Sequence, residues 1–264
     1  MSQVRILVIT GYGTNCERET AHAAKMAGAD IVDIRFFSDL ISEKTSLLDY
    51  NFLIFPGGFL DGDELGAAQA ASLRWRYSRT KSGRFLHADL QEFVQKGNLI
   101  LGICNGFQLL VKLGLLPSCG GNSFKRQVSL SYNDSARFED RWVHLAANPD
   151  SPCVFAKGID KMYLPIRHGE GKLEVKEQEL LLAMNEQNLI AMQYIDPETG
   201  RPTQQYPANP NGSPDGVIGQ AAEKVSKAAG EDYCGLCGCP LVNLEAISNG
   251  PPEDCPRTEQ HREE

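Results

Sequence analysis

The chain has no apolar run approaching the ~20 residues that a membrane-spanning helix requires, so no membrane span is expected. It has no opening of the kind that marks a secretory leader: Met1-Ser-Gln-Val-Arg5 runs straight into a strand-like segment. Basic residues are in deficit, 26 Lys and Arg against 34 Asp and Glu, for a net charge of −8. That balance speaks against a nucleic acid as principal partner. Eight cysteines in 264 residues are too few for a disulfide scaffold, and without an export signal they are expected to be reduced, in a cytoplasmic protein. What is present is a hydrophobic content of 42%, enough for one large α/β domain or a domain with a small appendage.

The most informative stretch runs from Asn98 to Leu116. Leu99-Ile-Leu101 suits a buried strand, and Phe107 to Leu116 reads as an apolar helix. Between them, Gly102-Ile-Cys-Asn-Gly106 sets a thiol between two glycines. Glycine on either side lets the chain turn sharply from strand to helix, which is the geometry of a nucleophile elbow. The helix N-terminus behind Cys104 is expected to favour the thiolate. A small cysteine buried at a tight turn is the alternative, and the flanking glycines with Gln108 weigh against it.

Upstream, Val4 to Ile9 and Ile31 to Phe36 read as strands around a helix from Glu17 to Ala27, a βαβ unit of a parallel sheet. Thr14-x-x-Glu17 has capping-box spacing. The Gly11-x-Gly13 pair has no third glycine, which excludes a dinucleotide fingerprint. Phe52 to Pro56 supplies a third strand and delivers Gly57-Gly58 to the same sheet edge, where consecutive backbone N–H groups can meet an oxyanion. Helices are expected over Glu64 to Arg79 and Phe85 to Lys96. After Pro117, alternating segments around Phe124 to Leu145, Met162 to Lys172, Leu189 to Tyr194 and Val217-Ile218 predict strands, the first of them antiparallel and half exposed.

The elbow Gly102-Ile-Cys-Asn-Gly-Phe-Gln108 and the turn Pro56-Gly-Gly-Phe59 together resemble a class I, triad-type glutamine amidotransferase. Gly13-Thr-Asn-Cys16, Arg137-Phe-x-x-Arg-Trp-Val143, His168-Gly-Glu-Gly171 and Asn209-Pro-Asn-Gly-Ser213 narrow the likeness to the glutaminase subunits of phosphoribosylformylglycinamidine synthase. The resemblance implies a flavodoxin-like α/β fold, a mostly parallel central sheet flanked by helices with added antiparallel strands in the second half. It implies an amidotransferase domain over 1–219 and a divergent cysteine-containing tail over 220–264. Cys104 is then the nucleophile, Gly58 and Asn105 the oxyanion donors, and Gln108 a substrate contact. The implied partners are glutamine, a large synthetase subunit and a small accessory subunit. No cofactor is implied in this chain, with ATP and Mg in the large partner.

One family feature is missing. The family's histidine and glutamate lie in a Pro-His-Pro-Glu motif, and these 264 residues contain none. Three readings stay open: an altered tail and a crippled glutaminase; His168 and Glu170 as substitutes that keep the H-x-E spacing; or missing residues supplied by a partner or oligomer, or a non-catalytic interaction subunit. A stand-alone cysteine hydrolase of the same superfamily is the rival outside the synthase. The tail thiols Cys234, Cys237, Cys239 and Cys255 have the number for a zinc site but not the paired spacing of a ribbon, so no metal is assigned.

Overall fold

The computed structural model describes residues 3–121 and 123–221 and the backbone of Leu236–Cys239. The first half follows the predicted βαβ plan. The strand β1 (Arg5–Thr10) is followed by helix α1 (Glu17–Met26), then β2 (Ile31–Phe36), the short α2 (Phe37–Ile41) and β3 (Phe52–Phe55). Next come α3 (Gln69–Tyr77), α4 (Leu86–Gln95), β4 (Leu99–Ile103) and α5 (Asn105–Leu113). These four strands run parallel in the order β2-β1-β3-β4.

Alternation along β1 fixes which layer covers which face. Ile6 and Val8 pack with Ile54 and with Ala21 and Ala24 of α1 on one side. Leu7 and Ile9 pack with Leu53, Phe55 and the buried residues of α3, α4 and α5 on the other. Trp75 anchors that second layer, with its ring edge-on to both Phe37 and Phe55.

The second half is antiparallel. It comprises β5 (Val128–Tyr132), β6 (Glu139–Ala147), β7 (Lys161–His168), β8 (Glu170–Val175), helix α6 (Gln178–Glu186), β9 (Ile190–Tyr194) and β10 (Val217–Ala221). The hairpin β6–β7 and the strands β9 and β10 extend the main sheet, while β5 and β8 pair separately. A strand from the tail, β11 (Leu236–Cys239), joins the halves: it runs parallel to β4 and antiparallel to β10. Part of the segment 220–264 therefore belongs to the central sheet. The side chains of the tail cysteines lie outside the described residues, and with them the zinc question.

Two sequence expectations change. The capping box at Thr14 does not form: Cys16 is the N-cap residue, without a side-chain cap, and Thr14 instead bridges Gly58. The helix expected from Glu64 begins only at Gln69, because Ala68 sits at a φ of 58° that interrupts it.

Candidate active site

The turn from β4 into α5 is as sharp as the glycines imply. Cys104 is its N-cap at φ 52° and ψ −110°, a strained conformation held by its surroundings. Those surroundings leave no room for side chains on either flank. A Cβ at Gly106 would lie 1.9 Å from the Phe55 carbonyl oxygen, and one at Gly102 would lie 2.6 Å from that of Gly106. The two strand ends β3 and β4 are thus pressed together at the sheet edge where the thiol emerges.

The Gly57-Gly58 turn lies directly against the cysteine. Backbone N–H groups of Gly58 and Asn105 face the Cys104 sulfur and favour its charged form. Gly58 has a φ of 135°, and a Cβ there would strike the Gly13 carbonyl oxygen at 2.4 Å. The Gly11–Asn15 loop is accordingly the brace of this turn: Phe59 N donates to Gly13 O at 2.8 Å, and Asn15 N to Gly57 O at 3.3 Å. Cys16 also reaches the site, its sulfur 3.5 Å from the position a Gly57 Cβ would occupy, with the Cys104 Cβ at 3.5 Å from the same point.

Asn105 and Gln108 tie the elbow to both neighbouring segments. The Asn105 side-chain oxygen accepts from Leu60 N at 3.0 Å, and its amide donates to Gln108 Oε1 at 3.1 Å. Gln108 Nε2 donates in turn to the Glu170 carbonyl oxygen at 2.8 Å. Gln108 therefore holds the β7–β8 junction against α5 while lining the cavity.

That junction brings His168 to the same place. A small open cavity is lined by Cys104, Phe107, Gln108, Leu130, His168 and Glu170 together with Gly171, Asn211 and Ile218. The Cys104 thiol also donates to the Arg167 carbonyl oxygen, 4.0 Å away. His168 is 9% exposed, and its Nε2 is buried without a hydrogen-bond partner among the described residues. Glu170 points elsewhere: its carboxylate accepts from Ala67 N at 3.1 Å. The partner of the His168 ring is Asn133, whose Oδ1 lies 3.0 Å from Nδ1.

Burial decides the protonation of both groups. It pushes the Cys104 thiol up to about 11, against the opposing pull of the Asn105 and Gly58 amides. The expectation that the helix N-terminus makes a resting thiolate is therefore overturned: desolvation outweighs the dipole and the two N–H groups. Burial likewise drives His168 down to about 4, only partly offset by the charge of Glu139. At pH 7 the site rests as thiol and neutral imidazole.

One residue escaped sequence reasoning, Asn133, and the role of Asn211 within its quoted motif was not assigned. Asn211 Nδ2 donates to the Gly171 carbonyl oxygen at 2.7 Å and its Oδ1 accepts from Ser213 N at 3.0 Å. Asn209-Pro-Asn-Gly-Ser213 is thus the clamp behind the His168 loop. Asn133, an isolated asparagine in a turn, carries no periodic or spacing signal, so only the fold reveals its role.

Comparison with known proteins agrees with this geometry. Residues 3–224 match the CobB/CobQ-like glutamine amidotransferase domain family. The phosphoribosylformylglycinamidine synthase subunit PurQ of Methanococcus maripaludis strain C5 is 43% identical over 209 residues, 79% of this chain and 74% of that protein. The chain belongs to the PurQ family. The PurQ subunit of Dehalococcoides mccartyi is 39% identical over 223 residues, 84% of this chain and 81% of that protein. A chain in the structure of PurLQS from Thermotoga maritima shares the fold, with a TM-score of 0.61 and 24% identity over 90% of this chain and 86% of that one. PurQ membership rules out the stand-alone hydrolase reading, and the chain carries a glutamine amidotransferase domain. Among the described residues no helix is long and apolar enough to cross a membrane.

Proposed function

We propose that this chain hydrolyses glutamine at Cys104 and supplies the ammonia to a synthetase partner that makes formylglycinamidine ribonucleotide. The observation that carries this reading is a single cavity lined by both the elbow thiol and His168, with two backbone N–H groups against the sulfur. In the reading, the thiol proton passes to His168 Nε2 as sulfur adds to the side-chain amide carbon of glutamine. The resulting oxyanion is held by the Gly58 and Asn105 amides. Collapse breaks the C–N bond, the imidazolium returns its proton to the leaving nitrogen, and a γ-glutamyl thioester remains. Water, deprotonated by the same imidazole, then releases glutamate and restores the thiol.

The choice of His168 rests on elimination as well as position. The sequence has five histidines. His22 lies on α1, His87 packs edge-on against Phe124, and His144 stacks on Tyr163. His261 lies outside the described residues, and among those described His168 alone lines the cavity. With the thiol at about 11 and the imidazole at about 4, a separate ion pair would cost on the order of 10 kcal/mol. Proton transfer is therefore coupled to addition, where the oxyanion donors contribute. Glu170 serves by position: its backbone and carboxylate lock the loop to Gln108 and Ala67.

The partners in this reading are glutamine, a large synthetase subunit holding ATP and Mg, and a small accessory subunit, in the cytoplasm; the PurLQS neighbour supports an assembly of that kind. The test is ammonia release by the full chain with its synthetase and accessory partners. Cys104→Ala and His168→Ala are each expected to lower turnover at least a hundredfold. Unchanged turnover in C104A would overturn the reading, and unchanged turnover in H168A would remove the histidine from it.

A further inference from the structure

Asn133 stands at the turn after β5, joined to the cavity loop by its backbone and its side chain. Its N–H donates to the Gly169 carbonyl oxygen at 3.0 Å. Its side-chain Nδ2 donates to two carbonyl oxygens, His168 O at 2.8 Å and Arg137 O at 3.0 Å. Those two bonds decide which way the amide faces. Turned over, the amide would set its oxygen against two carbonyl oxygens and leave both without a donor. Asn133 Oδ1 therefore faces His168 Nδ1 as an acceptor, 3.0 Å away, and Nδ1 must carry the hydrogen. A neutral imidazole with hydrogen on Nδ1 has its lone pair on Nε2, a buried nitrogen without a partner among the described residues, on a side chain that lines the same cavity as Cys104.

The other groups around the ring do not compete for Nδ1. Glu139 on β6 is the direct cross-strand neighbour of His168, but its carboxylate is held by Arg141, with Nε to Oε2 at 2.9 Å. Arg141 in turn donates to Tyr206 at 2.6 Å. Glu170 on β8 is engaged at Ala67. Behind the ring, a Cβ at Gly171 would come within 2.6 Å of His168 Cε1 and 2.7 Å of Nδ1, so the ring occupies the space that this glycine leaves.

We propose that Asn133 is the positioning residue of this site, fixing His168 as the Nδ1–H tautomer so that Nε2 is the proton acceptor of the histidine that shares the cavity with Cys104. The arrangement is Cys104–His168–Asn133, with an amide where the family's dyad would have a carboxylate. The proposal rests on His168 being the base, and the experiment separates the two claims.

Nitrogen-15 NMR of the full chain, selectively labelled at histidine, reads the tautomer at pH 7. The expected result is a protonated Nδ1 and a bare Nε2 in the wild type, and a mixture of tautomers in Asn133→Ala. In the assembled synthase, N133A is expected to lower kcat by roughly ten- to a hundredfold, with KM for glutamine within about threefold. Asn133→Asp separates positioning from loop support, since it keeps the acceptor at Nδ1 and loses both Nδ2 donors. It is expected to retain the tautomer and more turnover than N133A at lower thermal stability. The acid limb of its kcat/KM profile should move toward neutral pH, because a carboxylate favours the charged imidazole. An Nε2–H tautomer in the wild type overturns the proposal, as does N133D falling to or below N133A in turnover with an unmoved acid limb. If H168A retains turnover, the base assignment fails by itself, whatever the tautomer. If H168A is inactive while N133A is unaffected in both tautomer and kcat, Asn133 alone is refuted.

Discussion

At the scale of single residues, competition between burial and hydrogen bonding sets the chemistry. Two amides and a helix N-terminus face Cys104, yet its removal from water wins, and the resting group is a thiol. Alkylation of Cys104 by iodoacetamide in the free chain should therefore rise with pH toward an inflection near 11. A rate already saturated at pH 7 would contradict the burial argument. The oxyanion turn gives a second prediction. Gly58→Ala places a Cβ 2.4 Å from the Gly13 carbonyl and must displace the 58 amide. Losing one such donor is worth about 3 kcal/mol, so glutamine turnover should fall ~10²-fold while the chain still folds. The elbow at Cys104 and the Gly57-Gly58 turn against it were legible in the sequence because glycine at fixed offsets in a strand-to-helix turn is a backbone requirement written locally. The protonation of Cys104 was not, since desolvation depends on what the second half of the chain brings over it. Asn133 was invisible for the same reason.

At the scale of elements, β4 and α5 act as one unit wedged between β3 and β11. Gly106→Ala should cost roughly 3 kcal/mol or more in unfolding free energy, because the contact is with backbone of β3 rather than a side chain that can turn away. Chemical denaturation would show it; a cost under 1 kcal/mol would mean that the strand ends are not so tightly opposed. Removing residues after 221 deletes β11, which lies between β4 and β10. Two unpaired edges would then face each other in the middle of the sheet, and the shortened chain is expected to aggregate or lose cooperative unfolding. The strands of the first half were readable from short apolar runs closed by glycine. The helices α2 and α6 were not, the first being only five residues long and the second having one fully buried position, Met184, and so a weak apolar face. β11 falls in a tail whose composition gave no strand pattern, and its place is set by the gap between its neighbours.

At the scale of the whole molecule, the two buried site groups make stability depend on pH at both ends. His168 falls from the usual 6.5 to about 4 on folding, so its contribution is fully present above pH 6.5 and is lost as pH drops toward 4. The loss is on the order of 3 kcal/mol. Cys104 is raised from 9 to about 11, so its contribution is present below pH 9 and is lost as pH rises through 11. Thermal unfolding should show a plateau between those limits, and His168→Gln should flatten the acid side while leaving the alkaline side unchanged.

The central claim is that one sulfur carries the acyl group of glutamine. Rapid acid quench of the assembled synthase turning over glutamine, followed by mass spectrometry of the Cys104 peptide, tests it directly. The account predicts a γ-glutamyl adduct on Cys104 in the wild type and none in C104A. Ammonia release at wild-type rate with no adduct on that peptide would contradict it.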